Sequence, residues 1–214
     1  MSVEARLREA ICATAASMHA RGLTHGSTGN ISARLPDGGL LVTPTGSSFG
    51  TLDPARLTRL DSEGRLVSGD PPTKEMPLHA AFYDTRAKAA AVVHLHGTHS
   101  VALSILPDTD PRDVLPPLTA YAVMRLGRVR MLPYFRPGDP AMGEAVRALG
   151  GGHAAVLLAH HGPVTAGVTL AAAAEAMEEL EATARLVLLT RGMAPRRLSP
   201  AQIDDIRQHF GDPD

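Results

Sequence analysis

Cysteine is nearly missing from this chain: Cys12 is the only one in 214 residues. An internal disulfide is therefore impossible, and a metal site built on thiolates is excluded. Tryptophan is absent and aromatic residues amount to 3%, which argues against a base-stacking surface or an aromatic cage. Neither charge dominates: 21 basic residues face 22 acidic ones, with no long run of one sign. That balance leaves no electrostatic footprint for nucleic acid. No apolar run approaches the roughly 18 residues that a membrane span requires. The opening stretch "MSVEARLREAICATAASMHARGL" mixes acidic and basic residues into its apolar pattern. It reads as an amphipathic helix and not as a signal peptide. The expectation is a cytoplasmic enzyme-sized protein, made in a reducing compartment, with neither membrane nor nucleic acid as a partner.

What is present is ordinary for a globular protein. Hydrophobic residues make up 44%, and the length suits one domain, 1–214, with a sizeable core. Val3, Leu7, Ala10, Ile11, Thr14 and Met18 follow helical spacing, and Gly22 stands where such a helix stops. "ISARL" and "LLVTPT" flank "PDGG", a hairpin signal. "LDPARL" predicts a short helix with Asp53 as its cap. "DSEGRLVSGDPP" reads as turns leading into a helix over "TKEMPLHAAFYDTR". "AAAVVHL" (89–95) and "HAAVLLAHHG" (153–162) are buried strands. "THSVALSIL" is a helix, 107–120 is irregular, "RVRMLPY" a strand and "PAMGEAVRAL" a helix starting at Pro140. "PVTAG" is a short partner strand, 169–191 a long helix and 199–209 a short terminal one. Helices alternate with strands, yet the early hairpin rules out a purely parallel sheet. A mixed, partly antiparallel sheet covered on both faces is expected.

Three of the ten histidines fall in "HLHGTH" (94–99). On a strand, residues two apart share a face, so His94 and His96 form a half-site for a divalent metal. His99 falls on the following helix and reads as a packing or helix-start hydrogen-bonding residue. His160 and His161 end the second buried strand on opposite sides, so at most one joins a given site. His161, beside Gly162, is at the turn. His19, His25, His79, His153 and His209 have no partner by spacing and are assigned to surface or core. Three neutral imidazoles with open positions would describe a catalytic site of zinc type. Glu75, at the start of a helix whose positive end favours a carboxylate, is the candidate proton carrier. "GSTGN" (26–30), "TPTG" (43–46) and "PTK" (72–74) gather amides and hydroxyls of the kind that cradle phosphate. None has the full spacing of a P-loop.

In order, "GSTGNIS", "VTPTG", "PTKEMPLH", "AVVHLHGTHS" and "LAHHGPV" resemble the class II aldolase/adducin-head family over about residues 3–191. The resemblance implies a three-layer α/β/α sandwich with a mixed, largely antiparallel central sheet, assembled as a homotetramer. It implies one zinc per subunit on His94, His96 and His161, with His160 a variable neighbour. Glu75 would be proton acceptor and donor, and a further metal ligand in the empty site. Substrate and phosphate contacts would fall on Thr28, Gly29, Asn30, Thr45, Gly46 and Thr73. Where sugar-phosphate aldolases carry two serines before the glutamate, this chain has Thr73-Lys74. "SGDPPTKEMPLH", "LPPLTAYAVMRLGRV" and "LPYFRPGDPAMGEAV" are similar to the 3-oxo-tetronate 4-phosphate decarboxylase branch, which releases dihydroxyacetone phosphate and carbon dioxide from a phosphorylated sugar acid. Lys74 would bind the departing carboxylate or the phosphate, and Tyr121 lies where the aldolases carry a tyrosine that reaches a neighbouring site. The alternatives are a fuculose- or ribulose-phosphate type aldolase or 4-epimerase, and a non-enzymatic scaffold like the adducin heads.

Overall fold

The computed structural model describes residues 1–213. Helix α1 (Val3–Ala20) begins at Ser2, whose hydroxyl accepts from the Ala5 amide, and stops before Gly22 at φ +72°. The "PDGG" turn joins β1 (Asn30–Arg34) to β2 (Leu40–Val42) as an antiparallel pair. "LDPARL" forms one 3-10 turn, with the Asp53 carboxylate accepting from the Ala55 amide. The stretch expected to be turns alone carries two short strands, β3 (Thr58–Leu60) and β4 (Leu66–Ser68). Three residues are too few to show a period of two, and β4 lies exposed at the sheet edge with no apolar face to betray it.

Helix α2 (Met76–Thr85) carries Pro77 in its first turn, where a missing N–H costs nothing. β5 (Ala91–His94) is buried throughout and leads to α3 (Thr98–Ser104). A helix that the sequence pattern left unassigned, α4 (Ala120–Leu126), starts where the Thr119 hydroxyl accepts from the Ala122 amide. β6 (Arg130–Leu132) and α5 (Ala141–Arg147) follow. β7 (Ala155–Leu158) turns tightly into β8 (Gly162–Gly167). Helix α6 (Leu170–Leu189) and helix α7 (Pro200–Phe210) complete the chain, the latter opened by a reciprocal Ser199/Gln202 cap.

The eight strands lie in the order β4-β3-β2-β1-β5-β8-β7-β6. Every neighbouring pair is antiparallel except β6 and β7. Alternation along the strands divides the core. Ile31, Ala33, Ala91, Val93 and Leu95 pack toward α1 and α6, through Ile11, Met18 and Met177. Val92, Val156, Leu158, Val164 and Ala166 pack on the other face against α2 and α5, through Leu78, Phe82 and Met142. Ala155 and Leu157 meet α3, α4 and α6. The result is a three-layer α/β/α sandwich. Among the described residues no helix is long and apolar enough to cross a membrane.

Close packing of α6 on β8 depends on Gly167. A Cβ there would sit 2.4 Å from the Ala173 amide nitrogen, which is backbone and cannot turn aside. Gly167→Ala is expected to lower stability by about 1–3 kcal/mol, the usual cost of overpacking, read as a shifted urea midpoint with an unchanged slope.

Candidate metal centre

Four elements converge at one point. β1 and β5 pair so that Asn30 stands directly opposite His94. β5 ends at His94, and His96 follows two residues on, just beyond the strand. The β7–β8 turn contributes His161. That turn differs from the strand end read from sequence: Leu158 already pairs with Gly162, so residues 159–161 form a three-residue loop. His160 sits there at φ +59° with its N–H donated to the Ser104 hydroxyl, exposed and turned from the cluster toward Tyr134. Gly162 is required at the turn, since a Cβ would lie 2.2 Å from the Leu95 carbonyl oxygen. Gly29 is similarly pressed on the His94 carbonyl, at φ +86°.

The three rings of His94, His96 and His161 stack edge to face, with centroids 4.6–5.0 Å apart. One nitrogen from each lies within 4.8 Å of the others. Glu75 reaches into this group from the start of α2. Its carboxylate is buried, with Oε2 3.3 Å from His94 Nε2 and Oε1 3.2 Å from His161 Nε2. Although Glu75 occupies the cap position of α2, its side chain makes no capping bond. Pro77 leaves one N–H fewer in the first turn, the Leu78 and His79 amides already donate to the Glu75 carbonyl, and Thr73 Oγ1 accepts from the Glu75 amide itself. The carboxylate is thereby released to face the imidazoles.

Hydrogen bonding tests whether these groups suit a metal. The His94 Nδ1–H donates to the Pro163 carbonyl at 2.8 Å. Its Nε2 must then present a bare lone pair toward the cluster, the arrangement a metal-ligating imidazole needs. Among the described residues, His94 Nε2, both ring nitrogens of His161 and Glu75 Oε1 are buried polar atoms with no hydrogen-bond partner. The 3.2 Å approach of Glu75 Oε1 to His161 is not aligned as a hydrogen bond. Orphaned buried lone pairs are costly, and here they point at one another. The residues fit a divalent cation.

Electrostatics agree. Burial pushes His94 below the ordinary histidine range, and burial with repulsion from His94 and His161 brings His96 down to about 3. Both are neutral, as ligands must be. Burial pushes the Glu75 carboxyl up, but His94, His161 and a hydrogen bond from Asn30 outweigh it and hold the group well below the usual carboxylate range.

The Class II Aldolase and Adducin N-terminal domain family matches residues 9–188. The chain belongs to that family. A Cupriavidus necator protein named 3-oxo-tetronate 4-phosphate decarboxylase is 47% identical over 214 residues, covering 98% of each chain. The crystal structure of YgbL from Escherichia coli superposes with a TM-score of 0.93 at 45% identity, over 96% of this chain and 100% of that one. The L-fuculose phosphate aldolase of Escherichia coli is 34% identical over 187 residues, or 86% of this chain and 84% of the relative. Within the class II aldolase family the chain thus falls in the 3-oxo-tetronate 4-phosphate decarboxylase subgroup, and it is a carbon–carbon lyase.

Other residues expected of a class II aldolase site are distributed around this centre. The backbone of Thr45 is pinned to the segment before Glu75, its N–H donating to the Pro71 carbonyl, and Pro44 bridges to Pro72. Thr45 and Gly46 are exposed, Gly46 at φ +70°. Thr28 bonds back to Thr24 and the His25 carbonyl, closing the glycine loop. Lys74 is exposed and lies against Gly138. Tyr121 is not brought to His94, His96 and His161. It is 58% exposed on α4, with Arg125 over its ring, in a groove shared with His99 and Glu178. His99 donates both its amide and its Nδ1–H to Glu181, which also accepts from Ser100 and so anchors the start of α3. Asn30 differs most from expectation. Its amide is spent inside the protein, with Nδ2 donating to Glu75 Oε2 at 2.8 Å and Oδ1 accepting from His79.

His79, Ser32 and Tyr83 escaped the sequence reading. A signal was available: Glu75, His79 and Tyr83 recur every four residues on one helix face, and Asn30 and Ser32 every two on one strand face. Burial and repulsion from His94 bring His79 down to about 3. The unfolded chain therefore takes up protons below about pH 6.5 that folded His79, His94 and His96 refuse. Stability of the chelator-treated protein is expected to be complete above that pH and to fall steadily from pH 6.5 toward 3, with Glu75 adding to the loss below its unfolded value. Urea unfolding at pH 7.5, 6.0 and 5.0 measures this. A flat profile would contradict the neutral, buried state of these rings.

Proposed function

We propose that this chain decarboxylates 3-oxo-tetronate 4-phosphate to dihydroxyacetone phosphate and carbon dioxide. The observation that carries the reading is a carboxylate, Glu75, buried among three imidazoles with one oxygen unpartnered. Similarity over nearly the whole chain to proteins named for that reaction supports the substrate.

His94, His96 and His161 would hold one divalent ion, zinc by the preference of a three-imidazole donor set for it. When bound, the ion supplies Lewis acidity toward the ketone and hydroxyl oxygens of the substrate and offsets the charge left on carbon dioxide release. The protein's own groups do the rest. The carbon–carbon bond to the carboxylate breaks, its electron pair remains on the carbon beside the ketone, and one proton is consumed. Glu75, an anion in the free protein, takes up that proton from solvent and delivers it to the same carbon. Lys74, exposed next to Glu75, binds an anionic end of the substrate, carboxylate or phosphate. Gly29, Thr45, Gly46 and Thr73 surround the phosphate with amides and hydroxyls, assisted by Thr28. The chain is one class II aldolase-like domain over 1–214, of which residue 214 lies outside the described residues. It assembles in the cytoplasm as a homotetramer in which Tyr121, remote from its own subunit's histidines, contacts a neighbour's site.

A second reading, a sugar-phosphate aldolase or 4-epimerase, is favoured by the 34% identity to the fuculose phosphate aldolase. It requires the same electron-pair chemistry with an aldehyde as leaving fragment. Lys74 in place of serine opposes it.

Zinc-loaded protein offered 3-oxo-tetronate 4-phosphate is expected to release carbon dioxide and dihydroxyacetone phosphate in equal amounts. Absence of turnover would sink the proposal, and faster cleavage of a ketose 1-phosphate would move it to the second reading. His96→Ala is expected to lose metal and activity together. Glu75→Gln should keep most of its metal and lose turnover by roughly 100-fold or more, the scale of a general acid–base contribution. Lys74→Ser should lower decarboxylation while leaving metal content, measured by plasma emission, unchanged.

A further inference from the structure

Behind Glu75 runs a chain of buried side chains with no place in the reading above. Asn30 Nδ2 is 2.8 Å from Glu75 Oε2, and Asn30 Oδ1 meets His79 Nε2. His79 Nδ1 is 2.7 Å from the Ser32 hydroxyl, which is 2.8 Å from the Tyr83 hydroxyl. All four residues are 6% exposed or less, and His79 and Ser32 are wholly buried.

The direction of every bond follows from one fact. An ionised carboxylate only accepts, so Asn30 must turn its NH2 to Glu75 and its carbonyl oxygen to His79. His79 Nε2 must then carry a hydrogen, because a bare nitrogen would set two lone pairs face to face. A neutral, fully buried imidazole has one hydrogen, which leaves Nδ1 as an acceptor. Ser32 spends its hydroxyl hydrogen on Nδ1, so its oxygen accepts from Tyr83. Four dipoles line up, Tyr83 to Ser32 to His79 to Asn30 to Glu75, each with its positive end toward the carboxylate. Aligned bonds polarise one another in a low-dielectric interior.

We propose that His79 is a positioning residue for Glu75: through Asn30 it anchors Oε2 and leaves Oε1 as the oxygen that handles the proton. The proposal rests on Glu75 as the proton carrier of the decarboxylation. A carboxylate without that anchor would rotate and exchange its two oxygens. The relay restricts it to one orientation, with Oε1 buried and free of any hydrogen-bond partner. The same arrangement explains why α2 carries a polar stripe, Glu75, His79 and Tyr83, within a layer otherwise packed through Leu78, Ala81 and Phe82.

Two measurements test this on the full-length, zinc-loaded protein. Long-range 1H–15N correlation spectra of histidine-labelled wild type should show His79 as the Nε2–H tautomer with a bare Nδ1. An Nδ1–H tautomer would overturn the relay whether or not any substrate turns over. His79→Phe should lower kcat per metal-loaded subunit by roughly 10- to 100-fold, the usual cost of losing an outer-shell partner, with KM and metal content held. His79→Gln, whose amide N–H can reach Asn30 Oδ1, should recover most of that loss. If His79 only fills space, both variants will melt lower while kcat per metal-loaded subunit stays at the wild-type value, and the proposal fails. Wild type that shows the expected tautomer but no decarboxylation would refute the functional reading and leave the relay standing.

Discussion

A carboxylate buried with its charge is among the most expensive things a fold can contain, and the structure is arranged around one. Glu75 is held by an amide that donates to one oxygen, and His94 and His161 stand within 3.3 Å of its carboxylate. Each of those partners depends on a different part of the sheet. The pairing of β1 with β5 sets Asn30 opposite His94, and the β7–β8 turn brings His161 across. The close approaches at Gly29 and Gly162 are the points where backbone must run against backbone for the rings to meet. Removing the cation that this cluster fits leaves lone pairs facing lone pairs, so stability and activity are tied to the same atoms.

The helices on either face serve that arrangement differently. On one side α6 supplies Glu181, whose carboxylate takes four hydrogen bonds from the start of α3 and so fixes the loop that follows His96. On the other, α2 lays its polar stripe on β1 and carries Glu75 at its end.

Much of this was legible in the sequence. The long amphipathic helices, the hairpin around "PDGG" and the buried strand ending at His94 stand where periodicity and turn chemistry put them. His94, His96, His161 and Glu75 come together as the ordered motifs implied. Less legible were features without periodicity. β3 and β4 are too short, and α4 follows a proline-rich stretch that hides its start. His160 and His161 lie in a turn and not on a strand, because only the partner strand β8 reveals where the chain reverses. Asn30 looked like a phosphate contact, since a side chain in a glycine loop advertises surface, yet β1 begins at that residue and turns it inward. His79 looked like core, which it is. That it is also wired to Glu75 requires knowing that α2 packs on β1, a tertiary fact no local pattern contains.

The central claim is that Glu75 shares its burial with a three-imidazole metal site. X-ray absorption at the zinc edge of the loaded protein tests it most directly. The account predicts three imidazole nitrogens at about 2.0 Å in wild type, and loss of that zinc shell when His161 is replaced by alanine. A zinc shell without imidazole scattering, or one unchanged by that replacement, would contradict it.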